Sequence, residues 1–101
     1  MKKDKIKVLV KKPGIPKWQV REIENSLEDM QRIVGGYIET VTLADDFAVV
    51  CNEEGRVLGL PYNTRIDEID FVGDIFIVGI DGDEFTDAPK FPCSLLAKGG
   101  Y

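Results

Sequence analysis

The sequence predicts an α+β fold: one amphipathic helix packed on a mostly antiparallel sheet of about five strands, in strand-helix-meander order. Three observations lead there. One stretch carries apolar residues at helical spacing, several others are short runs of β-branched and aromatic residues, and clusters of Gly, Pro, Asn and Asp separate them. At 101 residues and 44% apolar, the chain has the size and composition for one core. Residues 1–101 are therefore expected to form a single domain, with an irregular tail from about residue 85.

Lys5, Ile6, Lys7, Val8, Leu9 and Val10 alternate with a period near two, which reads as a half-buried strand whose outward lysines suit an edge or a solvated face. Pro13, Gly14 and Pro16 interrupt pairing, and Pro16 is placed to open a helix. From Trp18 to Val34, the residues Val20, Ile23, Leu27, Met30 and Val34 recur every three or four positions, predicting a helix of about four turns. Glu28 stands one turn before Arg32, the order that suits an exposed pair, and Gly35 and Gly36 provide a C-cap.

Tyr37 to Leu43 and Phe47 to Cys51 read as strands joined at Asp45 and Asp46. A second turn over Asn52, Glu53, Glu54 and Gly55, with Gly55 at positive φ, leads to a third strand from Arg56 to Leu60. Pro61 ends that ladder, and Tyr62 to Asp70 is polar, as an exposed loop or a short helical turn would be. Phe71 to Ile80 is apolar almost throughout, as a strand buried on both faces would be, and is expected to meet the first strand in the middle of the sheet. Asp81, Gly82 and Asp83 turn the chain into a tail packed by Phe85, Phe91 and Leu95.

No apolar run approaches the length of a membrane helix, and no export signal is visible, so a soluble cytoplasmic protein is expected. The net charge of −5 is unevenly spread. Seven lysines lie between Lys2 and Lys17, while the rest of the chain is markedly acidic. An acidic body argues against generic nucleic-acid binding, which depends on phosphate neutralisation. Cys51 and Cys93, the only cysteines, read as reduced structural thiols.

The segments Gly35-Gly36-Tyr37-Ile38-Glu39, Asn52-Glu53-Glu54-Gly55 and Leu60-Pro61-Tyr62-Asn63 follow the stretch Ile23-Glu24-Asn25-Ser26-Leu27. In that order and spacing they resemble domain-of-unknown-function family three-eight-four-six, small proteins of phages, conjugative elements and their Gram-positive hosts. The resemblance runs from about Val8 to about Ile80. It implies a mobile-element origin and no particular activity. It also leads to an arginine directly after the motif asparagine, whereas here Thr64 stands between Asn63 and Arg65.

With no histidine in the chain, Ser-His-Asp and Cys-His chemistry are excluded, and two cysteines cannot complete a structural zinc site. No cofactor fingerprint is present, and no enzymatic activity is expected. Asp81, Asp83, Glu84 and Asp87 could gather around a hard cation or simply form a solvated turn; their spacing does not match the twelve-residue calcium loop. The candidate binding residues are Asn52, Glu53, Glu54, Tyr62, Asn63 and Arg65. Loop side chains are free for recognition, and an amide beside a guanidinium can hold a phosphate, a carboxylate or a backbone. Trp18 reads as a core lid.

The function expected is non-enzymatic binding, with a host or phage protein as partner and inhibition of a host defence complex as its purpose. An alternative is sequestration of a small molecule or nucleotide, for which a homo-oligomer would help to enclose the ligand. A weaker alternative is a regulator that contacts DNA through the lysine-rich start.

Overall fold

A computed structural model of the chain describes residues 4–89. Eight strands and one helix follow in the order β1 (Lys5–Lys11), β2 (Gln19–Glu24), α1 (Leu27–Val34), β3 (Ile38–Ala44), β4 (Phe47–Asn52), β5 (Tyr62–Ile66), β6 (Ile69–Val72), β7 (Ile75–Asp81) and β8 (Glu84–Thr86). The architecture is α+β, as the sequence predicts, with more strands than the five expected. Six strands form an antiparallel sheet in the order β2-β1-β7-β4-β3, with β8 also paired to β7; β5 and β6 form a separate hairpin.

Alternation along the central strands builds a core on each face of the sheet. Ile6, Val8 and Val10 of β1, Val50 of β4, and Phe76 and Val78 of β7 point to one face, where Ile23, Met30 and Val34 join them. Val49 and Cys51 of β4 and Ile75 and Ile77 of β7 point to the other, against Trp18 and the hairpin residues Ile66 and Phe71. The sheet is thus sandwiched between α1 on one side and the β5–β6 hairpin on the other. β1 and β7 do meet in the middle, Leu9 opposite Ile77, as expected.

The helix is half the expected length. Trp18 packs in the core ahead of β2, and Gln19 to Glu24 pair residue by residue with β1, from Val10↔Gln19 to Lys5↔Glu24. Ladder hydrogen bonds outweigh a spacing that only mimics a helix stripe: Val20 and Leu27 are exposed, and only Ile23, Met30 and Val34 of the five are buried. The helix starts where Ser26 accepts a hydrogen bond from the Asp29 amide, and it ends on left-handed Gly35, whose amide bonds the Gln31 carbonyl. Pro16 therefore precedes a strand, not a helix. Arg32 pairs with Asp29 rather than Glu28.

Three further expectations are corrected. Of the two settings offered for the outward lysines of β1, the edge fails, because β2 and β7 flank the strand, while Lys5 and Lys7 do lie on a solvated face. The stretch Arg56 to Leu60 is a coil of tight turns, with the Leu58 amide bonded to Glu54, Gly59 to Arg56 and Leu60 to Gly55, so those three amides are paired locally without a partner strand. Gly55 is absent from the positive-φ positions; it is small because a Cβ there would lie 2.8 Å from Val72 Cγ2.

The polar stretch from Tyr62 to Asp70 forms most of the β5–β6 hairpin instead of a loop. Its turn takes Asp67 and Glu68 at positive φ, a strain that two acidic residues conceal from a search for glycine. The apolar stretch Phe71 to Ile80 is divided between β6 and β7 at Gly73 and Asp74. Asp81, Gly82 and Asp83 do turn the chain, but into β8, so that Phe85 is strand where a tail is expected. Phe91, Cys93 and Leu95 lie outside the described residues. Among the described residues, no helix is long and apolar enough to cross a membrane.

Candidate functional site

Two buried asparagines fix the frame. Asn52, at the end of β4, donates through Nδ2 to the Val34 carbonyl at 3.1 Å and accepts at Oδ1 from the Glu54 amide at 2.8 Å. It thereby ties the end of α1 to the turn that follows β4. Asn63 in β5 donates through Nδ2 to the carbonyls of Lys11 at 2.9 Å and Gly73 at 2.7 Å, and accepts from Lys11 Nζ at 2.9 Å. It latches the hairpin to the sheet. Burial lowers the Lys11 ammonium below its ordinary pKa.

A bulge in β5 follows from that latch. Tyr62 opposes Val72 and Thr64 opposes Phe71, leaving Asn63 as the extra residue. Asn63 and Thr64 are both buried, and Tyr62 and Arg65, three positions apart, are both exposed. They converge on one carboxylate: the Tyr62 hydroxyl donates to Asp70 Oδ1 at 3.1 Å, and Arg65 Nε lies 3.9 Å from the same oxygen. Desolvation, that hydrogen bond and the Asp70 charge raise the Tyr62 hydroxyl above its ordinary pKa, against the pull of Arg65. Arg56, from the turn, donates to the Asp70 carbonyl at 2.9 Å and joins the turn to the hairpin.

Between these elements and the sheet opens a cleft of about 390 Å³. Its walls come from β3 (Glu39, Val41), β4 (Cys51, Asn52), the turn (Glu53, Arg56, Val57) and β6 (Ile69, Asp70, Phe71, Val72). Val41, Cys51 and Phe71 supply the apolar interior. At the mouth Val57 is 88% exposed and Ile69 36%, large apolar groups left in water beside arginines. The Cys51 thiol is pushed up to about 11, by burial first and the Glu39 charge second, with Arg56 opposing. At neutral pH it is a protonated thiol, a poor nucleophile.

Of the residues singled out from sequence, Asn52 and Glu53 line the cleft, Tyr62 and Arg65 meet at its rim on Asp70, and Glu54 is exposed on the turn without lining it. Asn63 is spent internally and does not present its amide beside Arg65. Sequence reasoning missed Val41, Arg56, Val57, Ile69 and Asp70. Only Val57-Leu58, apolar within a tight turn, carried a local signal, and the expectation of a strand there obscured it. Asp87 Oδ1 accepts from the Lys7 amide at 2.8 Å. Among the described residues, no group of three or more His, Cys, Asp or Glu side chains could hold a metal ion.

Fold and cleft together define a small α+β domain built around a partly open, apolar-floored cleft with charged walls. The chain belongs to the family described as Domain of unknown function (DUF3846), whose model matches residues 6–98. No curated protein and no solved structure matches it.

Proposed function

We propose that this chain is a non-enzymatic binding protein of a phage or mobile element, acting in the cytoplasm of its bacterial host. On this reading the mouth of the cleft grips a host protein and blocks a defence complex. The observation that carries the reading is the exposure of Val57 and Ile69 at the cleft mouth, beside Arg56, Tyr62 and Arg65. Apolar groups ringed by tyrosine and arginine are the composition of binding hot spots, because such side chains gain most when a partner removes water from them. The protonated Cys51 and the lack of histidine leave little for covalent chemistry.

Affinity capture from host lysate with the wild type and with Val57→Asp tests it. The reading expects a specific host protein retained by the wild type and lost from the variant. Recovery of no specific protein, or equal recovery by both, refutes it. A second reading, sequestration of a small molecule, draws support from the cleft volume, which lies within the range of about 300–1,000 Å³ typical of ligand pockets. Native mass spectrometry of the protein isolated from its host would then show a retained ligand.

A further inference from the structure

Resting on the reading of the cleft as a protein-binding site, we propose that the partner enters as a short extended segment. This segment pairs with the free edge of β3 and carries a basic and an aliphatic side chain two positions apart.

β3 is the last strand of the main sheet, and no described strand pairs its outer side. The two long edges differ in how they are protected. β2 presents Arg21, Glu22 and Glu24, charges that discourage strand pairing, whereas Glu39 is the only charged residue in β3. The β3 edge is regular over residues 38–42 and is then broken by a bulge between Thr42 and Ala44. It thus offers a template of about 17 Å, at about 3.4 Å per residue. That length suits a short peptide and stops extended sheet growth.

The cleft lies beside this template. Glu39 and Val41 share one face of β3 and line it, so alternate side chains of a paired segment would overhang it. The interior there is apolar. Glu39 and Glu53 form no ion pair among the described residues, and Arg56 is held on the Asp70 carbonyl. An incoming ammonium or guanidinium would meet the Glu39 and Glu53 carboxylates, and an aliphatic side chain two positions along would meet Val41 and Val57. A second copy of this chain fits less well. Two-fold pairing of residues 38–42 would set Glu39 diagonally opposite its own equivalent, about 7–8 Å away on the cleft face.

Selection of a random heptapeptide display library on the immobilised full chain tests the proposal, followed by amide NMR with a selected peptide. The wild type should enrich peptides with Lys or Arg two positions from Val, Ile or Leu, and shifts should fall on residues 38–42. Glu39→Lys with Glu53→Lys, both at exposed sites, should lower retention of those peptides about tenfold and favour acidic ones. Three results overturn the proposal: no basic residue enriched two positions from an aliphatic one, the same peptides on the charge-reversed variant, or shifts on β2 or α1. Sedimentation showing a dimer that Thr40→Lys dissociates would assign the edge to a second copy and also overturn it. If Val57→Asp abolishes capture of a host protein while peptide selection fails, strand pairing is wrong and the binding face stands.

Discussion

Replacing Asn63 with alanine should strongly destabilise the attachment of the hairpin to the sheet. The side chain makes three hydrogen bonds, one accepted from the Lys11 ammonium and two donated to the carbonyls of Lys11 and Gly73. Lys11 is only 3% exposed, and its ammonium donates to the Asn63 oxygen, with no carboxylate paired to it among the described residues. A hydrogen bond to a charged group contributes about 1.5–3 kcal/mol, and each buried polar group left unpaired costs about 1–3 kcal/mol. Allowing for relaxation, the loss should be about 3–5 kcal/mol, a large fraction of the stability of a domain this size. Urea unfolding followed by circular dichroism measures it directly. Because burial holds the folded Lys11 pKa below its unfolded value, the cost of its charge is fully present below the folded pKa. That cost is relieved as pH rises from there towards 10.5. The penalty of Asn63→Ala should accordingly shrink in alkaline buffer. A loss below about 1 kcal/mol at neutral pH, or one independent of pH, would refute the latch and return Asn63 to the surface site.

Cys51→Val should alter the alkaline limb of stability. The folded thiol keeps its proton up to about 11 while the unfolded one ionises near 9.0, so wild-type stability falls over that interval by about 2–3 kcal/mol relative to the variant; parallel stability-pH curves would contradict this. Glu68→Gly should raise stability by about 0.5–1 kcal/mol, because glycine occupies the positive φ at the β5–β6 turn without strain; a lower urea midpoint would contradict it. Gly79→Ala should be severely destabilising, since the new Cβ would sit 2.0 Å from the Asp87 carbonyl oxygen and must displace the chain after β8; an unchanged thermal midpoint would refute that packing. Ser26→Ala should cost about 1 kcal/mol by removing the cap on the Asp29 amide, measurable as a lower urea midpoint.

The sequence made the central part of the fold legible because its signals there are local. β3 and β4 announce themselves by β-branched residues around Asp45-Asp46, and Gly35 marks the end of α1 for want of a Cβ. β2 was hidden for a physical reason. As an edge strand it buries only Ile23, so it shows no period of two, while Val20 and Leu27 supply a false helical stripe that is in fact exposed. β5 was hidden because its inward residues, Asn63 and Thr64, are polar and adjacent at a bulge, and the partner that satisfies Asn63 is Lys11, far away along the chain.

The candidate site divides in the same way. Glu53, Tyr62 and Arg65 could be singled out as loop-type polar residues, and they do sit at the cleft or its rim. Arg56, Ile69 and Asp70 come together only because the hairpin folds back over the sheet, a tertiary placement that no local spacing encodes.

The most direct test of the contact face is photocrosslinking in the bacterial host, with a benzophenone amino acid placed at position 57 or, as a control, at the also exposed Val20 on β2. The account predicts one discrete crosslinked host protein from position 57 and none from position 20. The same product from both positions, or a product from position 20 alone, would contradict it.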